Sequence, residues 1–507
     1  MITDGPLVIA TDSSTTSTKA IVVDATGTVL AAGKAEIALH TPGIDRYEHD
    51  PVDWWRSTDE AVRQALSALD RSQKARITAL SITPQRQSFA LLDADGAALR
   101  PGILWLDGRA VAEVARLGSP ELHALTGFQP DVTPSVYKLA WLSRNEPATL
   151  ESAAHIVGVH AYLIHRLTGQ WVDSQACADS LGLYDMARLD FDAALLARVG
   201  LRRDQLGELV APGSVVAAVA PAVREAWGLV GQVDVIAGCG DGQAAALGCA
   251  ALGPDEAYLN LGTAIVGGVH SATYSYGPTY RTDAAGLPGQ YVLEIVQNSG
   301  AYLASWFRTE LGDPALAGRP DPQLEAAAAR VPAGCGGLVT LPYWNAVQSP
   351  HWDPTARGAI VGLAGAHGRA EIYRSILEGL AVETARNLAG LQADTGVPLT
   401  SIRVMGGGQR SPLWRQIMTD CIGLPLTACE TEEVSALGAA VLAMAHATSS
   451  PIEETARAMA RLGDVSEPDS TRRATYAELG TLQGMLYERL ADVNAAQLAF
   501  AQRHPLA

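Results

Sequence analysis

The sequence predicts an α/β protein of two domains with a cleft between them. A chain of 507 residues is longer than a domain with a single hydrophobic core usually is, so two domains, each with its own core, are expected. In both halves, short β-type apolar runs alternate with helical segments, the order typical of α/β domains. Each half also opens on a strand pair whose connecting tip consists of small residues. The predicted domains are residues 1–251 and 252–507, with the break near the turn dipeptide Gly253-Pro254.

The first half is predicted to begin with three antiparallel strands. A helix over 50–69 follows, in which Asp50 and Pro51 occupy the cap and first-turn positions. Two further short β runs come after this helix. The predicted strands of this half are 7–11, 19–24, 28–37, 77–82 and 89–92.

The second half repeats this order. Residues 256–271 predict a strand, a Gly-Thr tip and a second strand, 291–296 predicts a third strand, and 299–311 predicts a helix. Segments rich in Ala, Leu, Arg and Glu over 371–392, and from 451 to the end, predict helices that cover this half. Because both halves open in the same way, the sequence suggests an ancient internal duplication.

The composition excludes several classes of partner. With 37 basic and 54 acidic residues the net charge is −17, so the surface repels nucleic-acid backbones and anionic lipid. The start, MITDGPLVIATD, lacks the positive charge of a signal peptide, and no apolar stretch approaches the ~20 residues that span a bilayer. We therefore expect a cytoplasmic protein without nucleic-acid or membrane partners. The six cysteines form no C-x-x-C pair, so reduced, mostly buried thiols are expected.

The tip between the first two strands, DSSTTSTK over 12–19, has the groups that bind phosphate. Consecutive backbone N–H groups in a tight turn cradle phosphate oxygens, hydroxyls add donors, and a lysine adds charge. An ordinary surface hairpin is the alternative interpretation of such a turn. The chain contains no G-x-x-x-x-G-K-[ST], H-E-x-x-H or G-x-S-x-G motif, which disfavours Walker-type ATPases, zincins and elbow-type serine hydrolases.

Two glycine-rich turns are further candidate sites. In IAGCGDGQAAALG, over 236–248, Asp241 ends an apolar strand between two glycines and begins a helix. A carboxylate at such a strand end faces a cleft, where it acts as a general base or binds Mg²⁺; a helix N-cap is the alternative. MGGGQRSP, over 405–412, is either a plain strand-to-helix turn or a backbone on which a flat adenine lies.

These motifs line up with one family. From Val8 to about Met444 the chain resembles the FGGY carbohydrate kinases, because two signatures of that family are present. Thr133 departs from the second signature, which usually has an aromatic residue, Met, Gly or Ser there. The C-terminal signature is met by Gly358, Ile360, Gly362, Leu363, Glu371, Ile372, Ser375, Ile376, Leu377 and Glu378. The other signature is met by Ser135, Lys138, Leu139, Trp141, Leu142, Arg144 and Asn145.

The resemblance implies two actin-like, ribonuclease-H-like domains with a catalytic cleft between them, in which the γ-phosphoryl group of MgATP passes to a sugar or polyol hydroxyl. Asp12 would help to hold Mg²⁺ through water, and Asp241 would accept the proton of the attacking hydroxyl and lie at the metal. Ser14 stands where the family usually has glycine, which puts the turn or the ATP affinity in doubt. The implied phosphate and nucleotide contacts are Thr15, Thr16, Ser17, Lys19, Gly262, Thr263, Gly300, Gly407 and Ser411.

The stretch SITPQRQS, over 81–88, resembles the substrate loop of the family. Glycerol kinases have Gln-Arg-Glu there and xylulokinases Gln-Met-His, so Gln85, Arg86 and Gln87 form a hybrid. With Thr133 in place of a tyrosine that flanks glycerol, the pocket is roomier, which favours a larger ketose or polyol, first of all D-xylulose.

Other residues and other functions stay open at this stage. Trp105 provides an apolar wall for the sugar or else a core aromatic, and Asp107 or Arg109 reaches its hydroxyls. The alternative substrates are glycerol, a tetritol, an L-ketose and an autoinducer-2-type dihydroxypentanedione. An actin- or chaperone-like ATP-switch module and a catalytically weak sugar sensor are the alternative functions. Many relatives are dimers, but the sequence does not decide between a monomer and a homodimer.

Overall fold

Two mixed β-sheets form the centres of the two halves of the chain. The computed structural model describes residues 5–316 and 319–504, so the predicted domain ends at 1–4 and 505–507 lie outside the described residues. The first sheet lies within residues 7–236 and the second within 256–466. The sheets lie on either side of the expected break, and the division at 251/252 itself stays a prediction.

The first sheet begins with the predicted antiparallel meander, which is confirmed. Val8 and Ala10 enter one buried core, whereas Leu7 and Ile9 enter another, because alternate side chains point to opposite faces. This double burial explains the continuous apolar run at the start of the chain. The strands, in order across the sheet, are Val215–Ala218, Asp234–Ile236, Ile77–Pro84, Leu7–Ser13, Ser17–Val23 and Val29–Glu36.

The second sheet repeats the topology of the first. Across each sheet, an antiparallel meander of three strands lies beside two strands parallel to the first strand of the meander, and an antiparallel strand forms the edge. The second sheet has one additional antiparallel strand, Arg281–Ala284, at its other edge, and its edge strand Leu462–Ser466 comes after its neighbour in the chain, whereas Val215–Ala218 of the first sheet comes before its neighbour. Matching order and direction support the internal duplication that the sequence suggested. The second sheet runs Arg281–Ala284, Tyr291–Gln297, Ile265–Ser271, Glu256–Leu261, Ser401–Met405, Leu426–Cys429 and Leu462–Ser466.

Shorter strands build smaller sheets beside these two. A five-stranded sheet in the first half contains the predicted 89–92 strand. Its members are His40–Gly43, Arg46–His49, Phe89–Leu92, Gly102–Ile103 and His155–Gly158. The remaining pairs are Val172–Ser174 with Glu208–Val210, Tyr184–Asp185 with Asp190–Phe191, and Val339–Leu341 with Ala359–Val361.

Helices cover both sheets. Asp50 caps the first helix as expected, because its side chain accepts a hydrogen bond from the N–H of Val52. The longer helices are Pro51–Ser67, Ser135–Asn145, Val159–Thr168, Asp241–Gly248, Pro322–Arg330, Arg369–Thr395, Pro412–Ile422, Val434–Thr448, Ile452–Met459 and Ser470–Arg503. The shorter ones are Arg71–Lys74, Val111–Leu117, Pro120–Thr126, Pro147–Ser152, Gln175–Ala178, Ala193–Arg198, Pro221–Ala226 and Ala301–Trp306.

Two helix predictions need correction. The segment from 451 onward is not helical throughout, because the strand Leu462–Ser466 interrupts it and pairs with Leu426–Cys429. An edge strand of this kind is specified by its partner rather than by local propensity. The helix predicted over 299–311 is α-helical only at Ala301–Trp306 and continues as a π-helical turn, Phe307–Leu311.

Two expectations from composition can also be compared with the structure. All six cysteines are free, and only Cys421 is not fully buried. Within the described ranges, no helix combines the length and the apolar composition that crossing a membrane would require.

A close helix contact joins the two halves of the chain. The helix Asp241–Gly248, here the Asp241 helix, packs against Val434–Thr448, here the crossing helix, which also packs on the first sheet. A Cβ atom at Gly438 would lie 1.8 Å from the carbonyl oxygen of Ala244, and one at Gly248 would lie 2.1 Å from that of Val434. The two backbones therefore touch, and only glycine fits at these positions.

This contact predicts that Gly438→Ala destabilises the fold. In an open helix the change would add about 1 kcal/mol of stability, but overpacking against a backbone costs about 1–3 kcal/mol. We expect the urea midpoint of unfolding, followed by circular dichroism, to fall. Gly480→Ala is the matched control, since a Cβ there would meet nothing closer than 3.4 Å, and its midpoint should hold or rise. A rise for Gly438→Ala would contradict the packing described.

Candidate active site

The tip of the first hairpin is a tight turn that serine closes. The N–H and the hydroxyl of Ser14 both donate to the carbonyl oxygen of Ser17, at 3.0 and 2.7 Å. Ser14 does not have the positive φ at which glycine would be needed. The turn thus tolerates serine at this position. Thr16 is exposed at the tip, whereas Ser17 is buried.

The loop Gln85–Ser88, here the 85–88 loop, is tied to this tip. The N–H of Gln85 donates to the carbonyl oxygen of Ser13 at 2.8 Å, and its side-chain amide donates to that of Ser14 at 3.2 Å. The Trp105 indole N–H donates to the Thr15 hydroxyl at 2.9 Å. Gln85 and the half-buried Trp105 therefore position the loop against the hairpin.

Arg86 is a buried bridge between the two halves. Its guanidinium forms ion pairs with Asp179 at 2.8 Å and with Asp283, from the second half, at 2.7 Å. Only its Nε has neither a hydrogen bond nor an ion pair within the described chain. The next residue, Gln87, has a left-handed backbone with φ of 59° and also leaves its buried Nε2 without a partner among the described residues. Two buried donors thus remain available at this loop.

Asp107 and Arg109 form a buried ionic cluster against the strand Arg46–His49. Asp107 is fully buried, and its carboxylate accepts hydrogen bonds from the N–H of Tyr47 at 2.8 Å and from the Arg109 Nε at 2.6 Å. Arg109 also donates to Glu48 at 2.7 Å. These contacts occupy both Asp107 oxygens and leave neither free for a ligand.

Thr133 lies where the first half meets the second. Its hydroxyl donates to Asp131 at 3.1 Å, and Asp131 accepts a further hydrogen bond from Gln348 of the second half at 2.6 Å. The buried Lys138 donates to the carbonyl oxygens of Thr133 at 2.7 Å and of Trp105 at 3.2 Å. One ammonium group therefore links these two predicted pocket residues.

Asp241 is the first residue of the Asp241 helix, and a short connection joins this helix to the strand Asp234–Ile236. Glycine on each side lets charged groups approach. A Cβ at Gly240 would lie 2.3 Å from Cδ of Arg86, and one at Gly242 would lie 2.3 Å from Oε1 of Glu294. The Gly-Asp-Gly sequence is thus a requirement of packing against a buried ionic network.

Asp12 and Asp241 lie close enough to repel one another. Burial raises the pKa of Asp12 to about 7, and the negative charge of Asp241 adds to this, while Lys19 acts in the opposite direction. Asp241 is exposed, but the protein around its carboxyl group displaces water and raises its pKa as well. The positive charge of Arg86 acts in the opposite direction. Oδ1 of Asp12 is buried without a hydrogen-bond partner in the described chain. An unpaired carboxylate oxygen beside a second carboxylate fits a divalent cation such as Mg²⁺.

The second hairpin presents the tip Gly262-Thr263. The buried Gly300 donates its N–H to the carbonyl oxygen of Thr263 at 2.9 Å, and Ala301 donates to that of Gly262 at 2.7 Å. A Cβ at Gly300 would lie 2.7 Å from the same Gly262 oxygen. Gly300 therefore supports the tip from beneath, while Thr263 is exposed.

A cavity of about 550 Å³ lies between Lys19 and the Gly406-Gly407 turn. This volume lies in the range of small-molecule sites, ~300–1,000 Å³. Gly407 is exposed, so a flat ligand can approach its backbone. Ser411 instead caps the helix Pro412–Ile422 by accepting from the Trp414 N–H at 3.1 Å, and it donates to Glu325 at 3.1 Å.

The crossing helix contributes residues that the sequence analysis missed. Glu433, directly before it, pairs with Lys19 at 2.7 Å, and the Ser435 hydroxyl donates to the backbone carbonyl of Asp241 at 3.1 Å. Glu294 and Asp283 were missed as well. A signal was present at Glu294, the single charge in the apolar strand YVLEIVQ, because such a residue is rarely buried unless it is paired.

The crowding of carboxylates predicts that Asp12→Asn stabilises the ligand-free protein. A carboxylate with a folded pKa of about 7 and an ordinary value of 3.8 destabilises the fold once it is ionised, so the gain should be absent near pH 4 and complete above about 7. We expect about 1–2 kcal/mol at pH 8. Thermal unfolding between pH 5 and 8.5 measures it. The exposed Asp95→Asn is the control and should show no such pH-dependent gain.

Comparison with known proteins identifies the family. The description "FGGY family of carbohydrate kinases, N-terminal domain" matches residues 7–248, and the corresponding C-terminal domain matches 257–447. A xylulose kinase of Escherichia coli (strain K12) is 31% identical over 498 residues, which cover 96% of this chain and 100% of the relative. A glycerol kinase of Bordetella parapertussis is 32% identical over 467 residues, 87% and 89% of the two chains.

A solved structure agrees with this result. The xylulose kinase of Rhodospirillum rubrum superimposes with a TM-score of 0.89 at 29% identity, over 96% of this chain and 100% of that one. The fold prediction is thereby confirmed. The chain belongs to the FGGY family of carbohydrate kinases, which are phosphotransferases that act on an alcohol group.

Proposed function

We propose that the protein transfers the γ-phosphoryl group of ATP to a hydroxyl of a ketose, with D-xylulose as the leading substrate. Sugar kinases of this family use ATP, generally with Mg²⁺. The observation that most supports the proposal is the mutual repulsion of Asp12 and Asp241, together with the attraction of Asp241 to Arg86 of the 85–88 loop, which packs against the neighbouring Gly240. A base, a cation site and a polar loop then meet at one place.

In this mechanism the chain mainly positions groups and transfers one proton. Asp241 accepts the proton of the attacking hydroxyl, whose oxygen forms the new bond to phosphorus while ADP leaves. The hairpin tips at Thr15–Ser17 and Gly262-Thr263 donate N–H and hydroxyl groups to the phosphates, and Lys19 supplies charge. Mg²⁺ held by Asp12 and Asp241 would neutralise developing charge on the phosphate oxygens. Because the base works ionised, turnover should fall as the pH drops through the raised pKa of Asp241.

The 85–88 loop supports a polyhydroxylated substrate. The Arg86 Nε and the Gln87 Nε2 are buried donors without hydrogen-bond partners in the described residues, and a buried donor is costly unless a ligand supplies an acceptor. A neutral amide at Gln87 and a small side chain at Thr133 favour a ketose over glycerol. Trp105, held by Thr15, offers an apolar face to sugar C–H groups.

Glycerol is the second candidate. The glycerol kinase of Bordetella parapertussis is as similar in identity as the xylulose kinase relative, and Arg86 matches the glycerol-kinase form of the loop. The other candidate substrates, a tetritol, an L-ketose and a dihydroxypentanedione, are compared with glycerol and D-xylulose in the substrate panel below. A homodimer, cytoplasmic location and contacts of Gly407 and Ser411 with the nucleotide also stay proposals.

Replacement of the base gives the first functional prediction. Asp241→Asn should lower kcat about 10²–10⁴-fold with the best sugar, because the proton acceptor is lost. The assay couples ADP release to NADH oxidation and identifies the phosphorylated sugar by mass spectrometry. Binding of ADP, measured by calorimetry, should persist in the variant, which separates lost chemistry from lost folding. A kcat within threefold of wild type would rule out Asp241 as the base.

A comparison of substrates gives the second functional prediction. Pentuloses, hexuloses, tetritols, glycerol, gluconate and dihydroxypentanedione are compared by kcat/KM, and D-xylulose is expected to rank first. A higher value for glycerol would favour the second candidate. If no compound raises ADP release above the basal rate, the ATP-switch alternative replaces the kinase proposal, and sugar-dependent thermal stabilisation without product would favour the sensor.

A further inference from the structure

The Lys19–Glu433 ion pair spans the two halves of the chain beside the cavity. Nζ of Lys19 lies 2.7 Å from Oε2 of Glu433, and the side chains are 37% and 29% exposed. Lys19 stands on the second strand of the first hairpin, directly opposite Asp12 in the strand register. The cation that would face the phosphates is therefore already paired with a carboxylate of the other half.

Glu433 makes this contact instead of a local one. It occupies the N-cap position of the crossing helix, yet its side chain makes no capping hydrogen bond. Its neighbour Glu432 turns outward to Arg410 on the surface, where the two side chains are 72% and 68% exposed. Both glutamates line the cavity, but Glu433 pairs with Lys19 of the first half, whereas Glu432 pairs with an exposed arginine of its own half.

The charges around Lys19 are unbalanced. Two further carboxylates, Asp241 and Glu433, repel the charge of Asp12, and Lys19 is the cation that opposes them there. A polyphosphate that approaches Lys19 must displace Glu433 and remain beside its negative charge. This repulsion is weaker for a nucleotide whose charge a divalent cation has partly neutralised, and the carboxylates attract that cation.

We propose that Glu433 makes the cleft selective for the metal-bound nucleotide. Glu433 pairs with Lys19 until the phosphate chain of a nucleotide, with its divalent cation, takes the place of Glu433 at Lys19. This inference rests on the proposed function. Glu433 is a positioning residue in this scheme, since it acts through Lys19 and the local charge. It lowers the affinity for metal-free nucleotide more than that for the magnesium complex.

Calorimetry with ADP tests the inference without turnover. Kd is measured in EDTA and in excess Mg²⁺ for the wild type, Glu433→Gln and Glu432→Gln. Glu433→Gln should tighten metal-free ADP about fivefold and the magnesium complex less, so that the ratio of the two Kd values narrows more than twofold. Glu432→Gln removes the same charge at the same cavity, but its exposed pair is screened, so the ratio should change less than twofold.

Other results would overturn it. If the ratio of the two Kd values is unchanged in Glu433→Gln, or if metal-free ADP binds more weakly, the ion pair only connects the two halves and the inference is wrong. This holds even if the wild type phosphorylates sugars as proposed. Glu433→Asp keeps the charge and should keep a ratio nearer to wild type; a ratio like that of Glu433→Gln would contradict the scheme. If the wild type binds no ADP in either buffer, the proposed function fails first, and the inference with it.

Discussion

The direct contact between the Asp241 helix and the crossing helix is the constraint on which the site depends. Two uncharged positions, Gly248 and Gly438, set the distance, because a Cβ at either would meet a backbone oxygen at 2.1 Å or less. At this distance Ser435 reaches the carbonyl of Asp241 and Glu433 reaches Lys19. The spacing of charges in the cleft therefore follows from a steric fit between the two halves.

That spacing makes the ligand-free cleft electrostatically unfavourable. Asp12 and Asp241 lie in mutual repulsion, and the Asp12 Oδ1 has no partner within the part of the chain described. A divalent cation between two such carboxylates would convert this repulsion into attraction. The repulsion between Asp12 and Asp241 and their fit to a divalent cation thus have one cause.

The sequence predicts what local patterns encode. The hairpins, the Asp50 cap and the repeated order of elements follow from periodicity and turn chemistry, and the structure contains them. Local propensity does not predict the strand Leu462–Ser466 or the ionic partners of Arg86. Both depend on pairing between residues that are far apart in the sequence. Resemblance to a motif singled out Asp107, but such resemblance does not distinguish a contact to a ligand from a structural ion pair. The hydrogen bonds of Asp107 to Tyr47 and Arg109 show the structural contact.

The three residues of the 85–88 loop that resemble a substrate site are constrained by different partners. Gln85 is committed to the first hairpin and Arg86 to Asp179 and Asp283. An uncharged residue at 86 would leave the buried Asp179 without its ion-pair partner and Asp283 with the more distant Arg281, at 3.8 Å, a change that is strongly destabilising by itself. Arg86 is thus explained by the ionic network whatever the substrate, and its match to glycerol kinases weighs little. The side-chain Nε2 of Gln87 has no such partner within the described chain, and the proposed function therefore assigns the choice of substrate to Gln87 rather than to Arg86.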